Sequence, residues 1–455
     1  MSRLDEQRAA NRRLRNLAIA WIVGSLVIGA VVGIIIYAAG RSGAGDDAGV
    51  AQATPPPDEM IVTVAPRSVA HEAQVVTATP PGSDSAPTEG GSSEERPAAK
   101  ALVPLEAFGY GIQVHGSVGE PEMTVGQVER LGLGWIKQQV RWGELELSPG
   151  DLNWAMIDGI MAAADNHQIR VMLSVVTAPD WSRPEIGTTH GPPDDLNQFT
   201  AFLSKLIDRY PGQISAIEVW NEQNLEREWQ APDGLSAAKY VEMLQMAYET
   251  IKAKDPNIVV ISGALAPTGG WVESDGRVTA IDDFVFLQQL LENGMLAYAD
   301  CVGAHHNGYN IGPDVTAEEA PQQPEAATAG FRGPFDNVHH SWSFKSTLQT
   351  YYQMLGGQKK LCVTEFGWAS TEGTGGTPAG FAFADDNTLQ EQAEWDVQAF
   401  QLQREWGITW LAFLWNLDYG PKGLGPEDNN VPYSILNLDG SPRPAFEALE
   451  AMPKP

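Results

Sequence analysis

Eight short apolar runs recur after residue 102, and longer stretches of helical period lie between them. The runs are Gly109–His115, Trp135–Trp142, Arg170–Val176, Ala216–Glu222, Ile258–Leu265, Cys301–His306, Lys360–Glu365 and Ile408–Trp415. Strands that alternate with amphipathic helices pair in parallel and are covered by those helices, which excludes a sandwich or a bundle. The helical stretches include Asp194–Tyr210, Ser236–Lys254, Asp282–Asn293, Ser341–Leu355 and Thr388–Trp406. Phe199, Phe202, Leu203 and Leu206 show the three- and four-residue apolar spacing, and Ser236 offers an N-cap. A doubly wound sheet would alternate in the same way. No glycine-rich phosphate turn follows the first run, however, and polar or aromatic residues gather at the C-terminal ends of nearly all the runs. Both features favour an α/β chain folded as a (β/α)8 TIM barrel over residues 102–455.

The first hundred residues have a different composition. From Leu17 to Ala39 no charge interrupts an apolar run long enough, at about 1.5 Å per residue, to cross a hydrocarbon core of about 30 Å. The spacing predicts one transmembrane helix over residues 17–39. Five arginines precede it, against Asp5 and Glu6, so residues 1–16 are expected to form a cytoplasmic tail with the barrel outside the cell. A cleaved signal peptide is the competing reading, although its apolar core is usually about 7–15 residues. Residues 40–101, rich in Ala, Pro, Thr, Ser and Gly, cannot bury enough apolar surface to offset the entropy of ordering. They read as a disordered stalk.

The net charge of −29 over 455 residues excludes nucleic acid as a natural partner and suits a soluble domain exposed to solvent. Cys301 and Cys362 are the only cysteines, too few for a disulfide scaffold. Both fall in apolar runs and are expected to be buried free thiols, with a bridge between them as the alternative.

Two runs end in glutamates with chemical potential: AIEVWNEQN, which contains Glu222, and KLCVTEFGW, which contains Glu365. On parallel strands of one barrel, both carboxylates would stand at the same rim. Glycosidic cleavage needs such a pair, one group to protonate the leaving oxygen and one to support the anomeric centre. Their separation decides between retention and inversion, and spacing along the chain does not reveal it. A lone glutamate at a strand end is more often a solvated carboxylate or an ion-pair member. Glu218, deeper in its run, reads as a buried partner, while Glu144 and Glu146 read as shaping the loop after Trp142.

The motifs WNE at the fourth run and TE at the seventh resemble glycoside hydrolase clan A, the retaining (β/α)8 enzymes, most nearly the group around families 5 and 39. The resemblance implies retention, with Glu222 as acid/base and Glu365 as nucleophile. It also implies that Asn221 binds a sugar 2-hydroxyl, that Arg141 in VRWGELELSPGDLNW supports the nucleophile, and that Trp415 in LAFLWNLD stacks beneath the sugar. The tail Ile435–Leu449 resembles these enzymes' closing segment, so the likeness spans residues 108–450. The sixth run departs from the pattern: GAHHNGYN gives His305 with Asn307, and Tyr309 is displaced by two. His305 is the expected contact of the nucleophile there, and Tyr309 the alternative.

Tryptophans at the expected top loops, Trp142, Trp181, Trp229, Trp271, Trp342 and Trp368, offer flat faces to an oligosaccharide, with Trp181 and Trp368 chosen as substrate contacts. His305 with His306, and His339 with His340, raise the question of a metal. Adjacent residues point to opposite faces of a strand, so no metal and no cofactor are expected. The reading is therefore a retaining O-glycosyl hydrolase acting on β-linked oligo- or polysaccharides. Proximity to Glu365 is expected to keep Glu222 protonated until attack. The rivals are a catalytically silent sugar-binding module and a transglycosidase using the same residues.

Overall fold

The computed structural model describes residues 102–186, 190–323 and 339–454. The expected tail, transmembrane helix and stalk, residues 1–101, lie outside the described residues. Among those described, no helix is long and apolar enough to cross a membrane.

Eight parallel strands form one sheet: β1 (Gly109–Val114), β2 (Trp135–Arg141), β3 (Arg170–Val176), β4 (Ile214–Val219), β5 (Val259–Ser262), β6 (Val302–Gly308), β7 (Leu361–Trp368) and β8 (Thr409–Leu414). Their order is β5-β4-β3-β2-β1-β8-β7-β6. The ring closes between β5 and β6 through the parallel bridges Ile261 to Cys301 and Leu265 to Ala304. Gly303 permits that closure, because a Cβ there would stand 2.1 Å from the Ser262 carbonyl oxygen. Each strand is followed by a helix: α1 (Pro121–Arg130), α2 (Ala155–Asn166), α3 (Leu196–Arg209), α4 (Ala237–Lys254), α5 (Asp283–Glu292), α6 (Phe344–Met354), α7 (Leu389–Trp406) and α8 (Pro444–Ala451). This is the (β/α)8 barrel that the alternation predicts. The Ser236 hydroxyl caps α4 by accepting from the Lys239 N–H, and Thr388 with Glu391 forms a capping box on α7.

Side chains of alternate parity fill the barrel in layers. The lowest layer packs Trp135, Met172, Ala216, Val259, Ile261, Leu411 and Phe413 around a disulfide between Cys301 and Cys362, whose Cα atoms are 5.8 Å apart. The expectation of free thiols is thereby corrected. The parallel pairing of β6 and β7 brings both sulfurs into one inward layer, and no sequence spacing reveals that register.

Two irregularities set the upper layer. On β7 the register shifts so that Ala304 faces Val363 while His305 faces Glu365, and β8 shows the same extra residue across Val363–Phe366. Cys362 and Thr364 already point inward, so strict alternation would send Glu365 toward the helices. The bulge turns it into the barrel mouth. On β4 the strand stops at Val219, short of the expected Glu222, and Trp220 (φ 76°) and Glu222 (φ 44°) adopt positive φ. Side chains rarely adopt that conformation outside functional turns.

Candidate active site

At the barrel mouth Glu222 and Glu365 face one imidazole. His305, fully buried on β6, lies with Nδ1 3.2 Å from Glu222 Oε1 and Nε2 3.7 Å from Glu365 Oε1. The two carboxyl groups are thus no further apart than one ring and its two contacts. Burial alone would lower the His305 pKa, but Glu365 and Glu222 raise it, which favours the imidazolium between them.

Glu365 accepts from Lys137 Nζ at 2.8 Å, and the same ammonium stands 3.3 Å from Glu218 Oε2. Lys137 and Glu218 are completely buried, and the Thr364 hydroxyl donates to Glu218 at 2.6 Å. Burial opposes charge on Lys137, yet the two carboxylates hold its pKa above the usual lysine value. The contact with Glu365 that the resemblance gives to Arg141 is therefore made by a lysine four residues earlier, deeper in the barrel on the same strand. Arg141 itself stays at the rim, where it pairs with Glu144 at 3.0 Å, meets Gln139 at 3.3 Å, and acts through its charge on Glu228 and Tyr419. It is the last residue of β2, paired with Val176 at the end of the ladder, and its side chain is 40% exposed.

Glu222 has a second cation: Arg227 Nη2 lies 2.9 Å from its Oε2. Burial pushes the Glu222 pKa up, but the His305 hydrogen bond and the Arg227 charge outweigh it and bring the group down to about 2. The expectation of a protonated Glu222 is corrected, because carboxylate repulsion is overridden by two adjacent donors. Glu228, on the same turn, behaves in the opposite way: burial and the Glu222 charge push it up to about 7. Asn221 is nearly buried, and its Oδ1 has no protein partner among the described residues, so it can accept from a bound hydroxyl.

A cavity of about 680 Å³ opens beside Glu222. Arg227 lines it, and Tyr309, Phe381, Phe383 and Tyr433 form its aromatic wall. Tyr309 packs edge-on against Phe383 with centroids 5.0 Å apart, and Trp415, half-buried, joins the same cluster and tilts over Tyr419 at 5.4 Å. Of the other tryptophans, Trp271 is exposed, Trp181 is half-buried, and those that are buried are corrected. Trp368 is 1% exposed, packs between Phe344 and Trp395, and donates to the Ile311 carbonyl, so no face is open to a sugar. Trp142, Trp229 and Trp342 are equally buried, and Trp181 lies edge-on to Trp142 with its N–H on the Glu146 carbonyl. Glu146 shapes the loop as expected, accepting from Trp142 Nε1 at 2.6 Å and from the Gly150 N–H at 2.8 Å.

Sequence reasoning missed Lys137, Arg227, Glu228, Tyr433 and the Phe381–Phe383 pair. A charged residue inside the apolar run WIKQQV was an available signal for Lys137. The others stand on loops, where no periodicity assigns a direction.

No protein-family model matches the chain, and no curated protein does. Among solved structures it is similar to a family 39 glycoside hydrolase from the gut symbiont Bacteroides cellulosilyticus WH2, with 19% identity and a TM-score of 0.54. That match covers 77% of this chain and 63% of the other, so the chain spans less than two thirds of that structure. It also matches the GH53 catalytic domain of Ignisphaera aggregans (16% identity, TM-score 0.49, 78% of this chain and 99% of that one). A further match is xylanase XynB from Paenibacillus barcinonensis (15%, 0.48, 79% and 100%). The likeness to the family 39 structure is one of fold, the (β/α)8 barrel.

Proposed function

We propose that this chain is a retaining O-glycosyl hydrolase of β-linked oligo- or polysaccharides. The observation that carries the reading is the pair of carboxylates, from the turn after β4 and from β7, that share His305 at the mouth of one barrel. Glu365, turned inward by the bulge and oriented by Lys137, would attack the anomeric carbon, and its oxygen would form the covalent bond as the glycosidic bond breaks. Glu222, in its protonated form, would give that proton to the leaving oxygen and then, as base, take one from the water that releases the sugar. Asn221 would accept from a sugar hydroxyl, and the aromatic wall would stack on the rings.

Full-length chain, solubilised in mild detergent, should release chromophore from a β-aryl glycoside panel with the anomeric configuration conserved. Glu222→Ala and Glu365→Ala should each abolish turnover. Activity within a few-fold of the parent in either variant would refute the assignment. Longer products at high substrate concentration would point instead to a transglycosidase.

A catalytically silent sugar-binding module is the second reading, and one observation favours it: both oxygens of Glu222 are held, one by Arg227 and one by His305, which favours the ionised form. A silent module would change melting temperature with oligosaccharides and release no chromophore.

We also propose that residues 17–39 anchor the protein in the cell membrane with the N-terminus cytoplasmic, and that residues 40–101 act as a stalk holding the barrel outside. The Cys301–Cys362 disulfide supports an oxidising location for the barrel. Protease accessibility on intact cells tests it: the barrel should be shed from the surface while the tail stays protected.

A further inference from the structure

Apart from the carboxylate pair, three metal-ligating side chains converge where the loop after β6 meets the start of α5. Asp282 is the N-cap of α5. Its Oδ1 accepts from the Phe284 and Val285 N–H groups at 2.9 and 3.1 Å, which leaves Oδ2 to face His339 Nε2 at 3.2 Å. About 3.3 Å is the spacing of two ligand atoms around an ion bound tetrahedrally at about 2.0–2.1 Å. The other nitrogen of His339, Nδ1, is 2.8 Å from the Ser341 hydroxyl. Nδ1 also accepts from the Ser341 N–H at 3.2 Å, so in the metal-free chain Nε2 carries the hydrogen toward Asp282; an ion bound between them takes the place of that proton, and Nδ1 then takes a hydrogen and donates it to the Ser341 hydroxyl.

His340 is anchored in the same manner. Its Nε2 lies 2.7 Å from Asp283 Oδ1, and Asp283 is completely buried, accepting from the Tyr351 hydroxyl at 2.8 Å and the Thr268 N–H at 3.0 Å. A buried carboxylate that grips one imidazole nitrogen fixes the ring and raises the basicity of the other nitrogen, as it does for metal-binding histidines. The ring is further fixed by stacking on Phe284. The ligand atoms of Asp282, His339 and His340 lie within 4.8 Å of one another.

We propose that Asp282, His339 and His340 form a site for one divalent transition-metal ion of the zinc class, with water completing the shell. Two imidazoles and one carboxylate suit zinc rather than calcium or magnesium, which take oxygen donors. The role is positional: Thr268 and Ser341, which hold the ligand shell, also line the cavity beside Glu222, so the ion fixes that wall. Opposite faces of a strand do not apply to His339 and His340, because they sit at a single helical turn with ring centroids 4.0 Å apart. The third ligand lies 57 residues earlier in the chain.

Full-length chain stripped with a chelator and titrated with zinc chloride should bind one equivalent per chain and melt at a higher temperature with the metal. Cobalt(II) should give the intense visible bands of a tetrahedral nitrogen-containing site. His339→Gln and Asp282→Asn should each weaken zinc binding at least about tenfold and remove the metal-dependent melting shift. Asparagine still caps α5, so the second variant keeps the fold. His167→Gln, which alters the imidazole between Glu122 and Glu129, should leave zinc binding unchanged. Substoichiometric binding by the parent, or parental affinity in His339→Gln and Asp282→Asn, would show plain hydrogen bonds between these residues and overturn the site.

Discussion

Arg227 occupies the oxygen of Glu222 that His305 leaves open: Nη2 stands 2.9 Å from Oε2, while His305 Nδ1 is 3.2 Å from Oε1. A carboxylate bonded to two cationic donors has no proton to give. The charged groups facing it are His305 from β6, Arg227 and Glu228 from its own turn, and Glu365 from β7 beyond the imidazole. The folded pKa, about 2, lies below the ordinary 4.5. The stability from this ionised group is therefore present above pH 4.5 and lost as pH falls toward 2. Activity has the opposite dependence, because the acid step needs the protonated form. We expect Arg227→Met to raise the Glu222 pKa and move the alkaline limb of kcat/KM to higher pH by about one unit or more. Superimposable pH profiles of parent and variant would remove Arg227 from the account.

Lys137 is the only cation in contact with both Glu218 and Glu365 among the described residues. Replacing it with methionine leaves buried Glu218 without a cation and Glu365 with His305 alone, a loss expected to be about 3–5 kcal/mol in the urea unfolding free energy. Adding Glu218→Gln to that variant should restore part of the loss, since the amide carries no charge while still accepting from Thr364. An unchanged urea midpoint in Lys137→Met would mean that the pair is solvated in solution.

The barrel was legible because its signal is repeated: eight apolar runs, amphipathic helices between them and caps such as Ser236 each point to the same architecture. Glu222 and Glu365 were legible through their place at the ends of apolar runs, although β4 stops at Val219 and β7 continues to Trp368. What escaped depends on small departures from regularity. Strict alternation on β7 puts Glu365 on the wrong face, and only the extra residue opposite His305 corrects it. Arg141 and Lys137 share parity on β2, so the pattern could not say which one reaches the nucleophile position; depth in the barrel decides it. Trp368 ends β7, three residues beyond Glu365, yet Phe344 and Trp395 close over it from α6 and α7. Periodicity does not encode which helix covers which rim residue.

The roles of the two glutamates can be separated by chemical rescue. Glu365→Gly opens space where the nucleophile stood, so added formate or azide should attack from that side and give product of inverted configuration. Glu222→Ala keeps the nucleophile, so an aryl glycoside with a good leaving group should still form the intermediate, and azide should then give product of retained configuration. Product anomers read by NMR decide the matter. The reverse pattern would exchange the assignments.

The Cys301–Cys362 bridge can be tested without changing a residue. Oxidised and reduced forms of the full-length chain share one sequence, so their difference in stability belongs to the bridge and not to a cavity left by mutation. The two cysteines are 61 residues apart, and closing a loop of that order removes unfolded-state freedom worth about 2–4 kcal/mol. Reduction should therefore lower the urea unfolding free energy by that amount. Both sulfurs lie in the fully buried lowest layer of the barrel, so the reductant should act only as the chain unfolds, and the loss of the bridge should accelerate with urea. Thiol titration in denaturant should find no free thiol before reduction and two after it. Two titratable thiols in chain taken directly from the cell surface would contradict the bridge, and would also withdraw its support for an oxidising location.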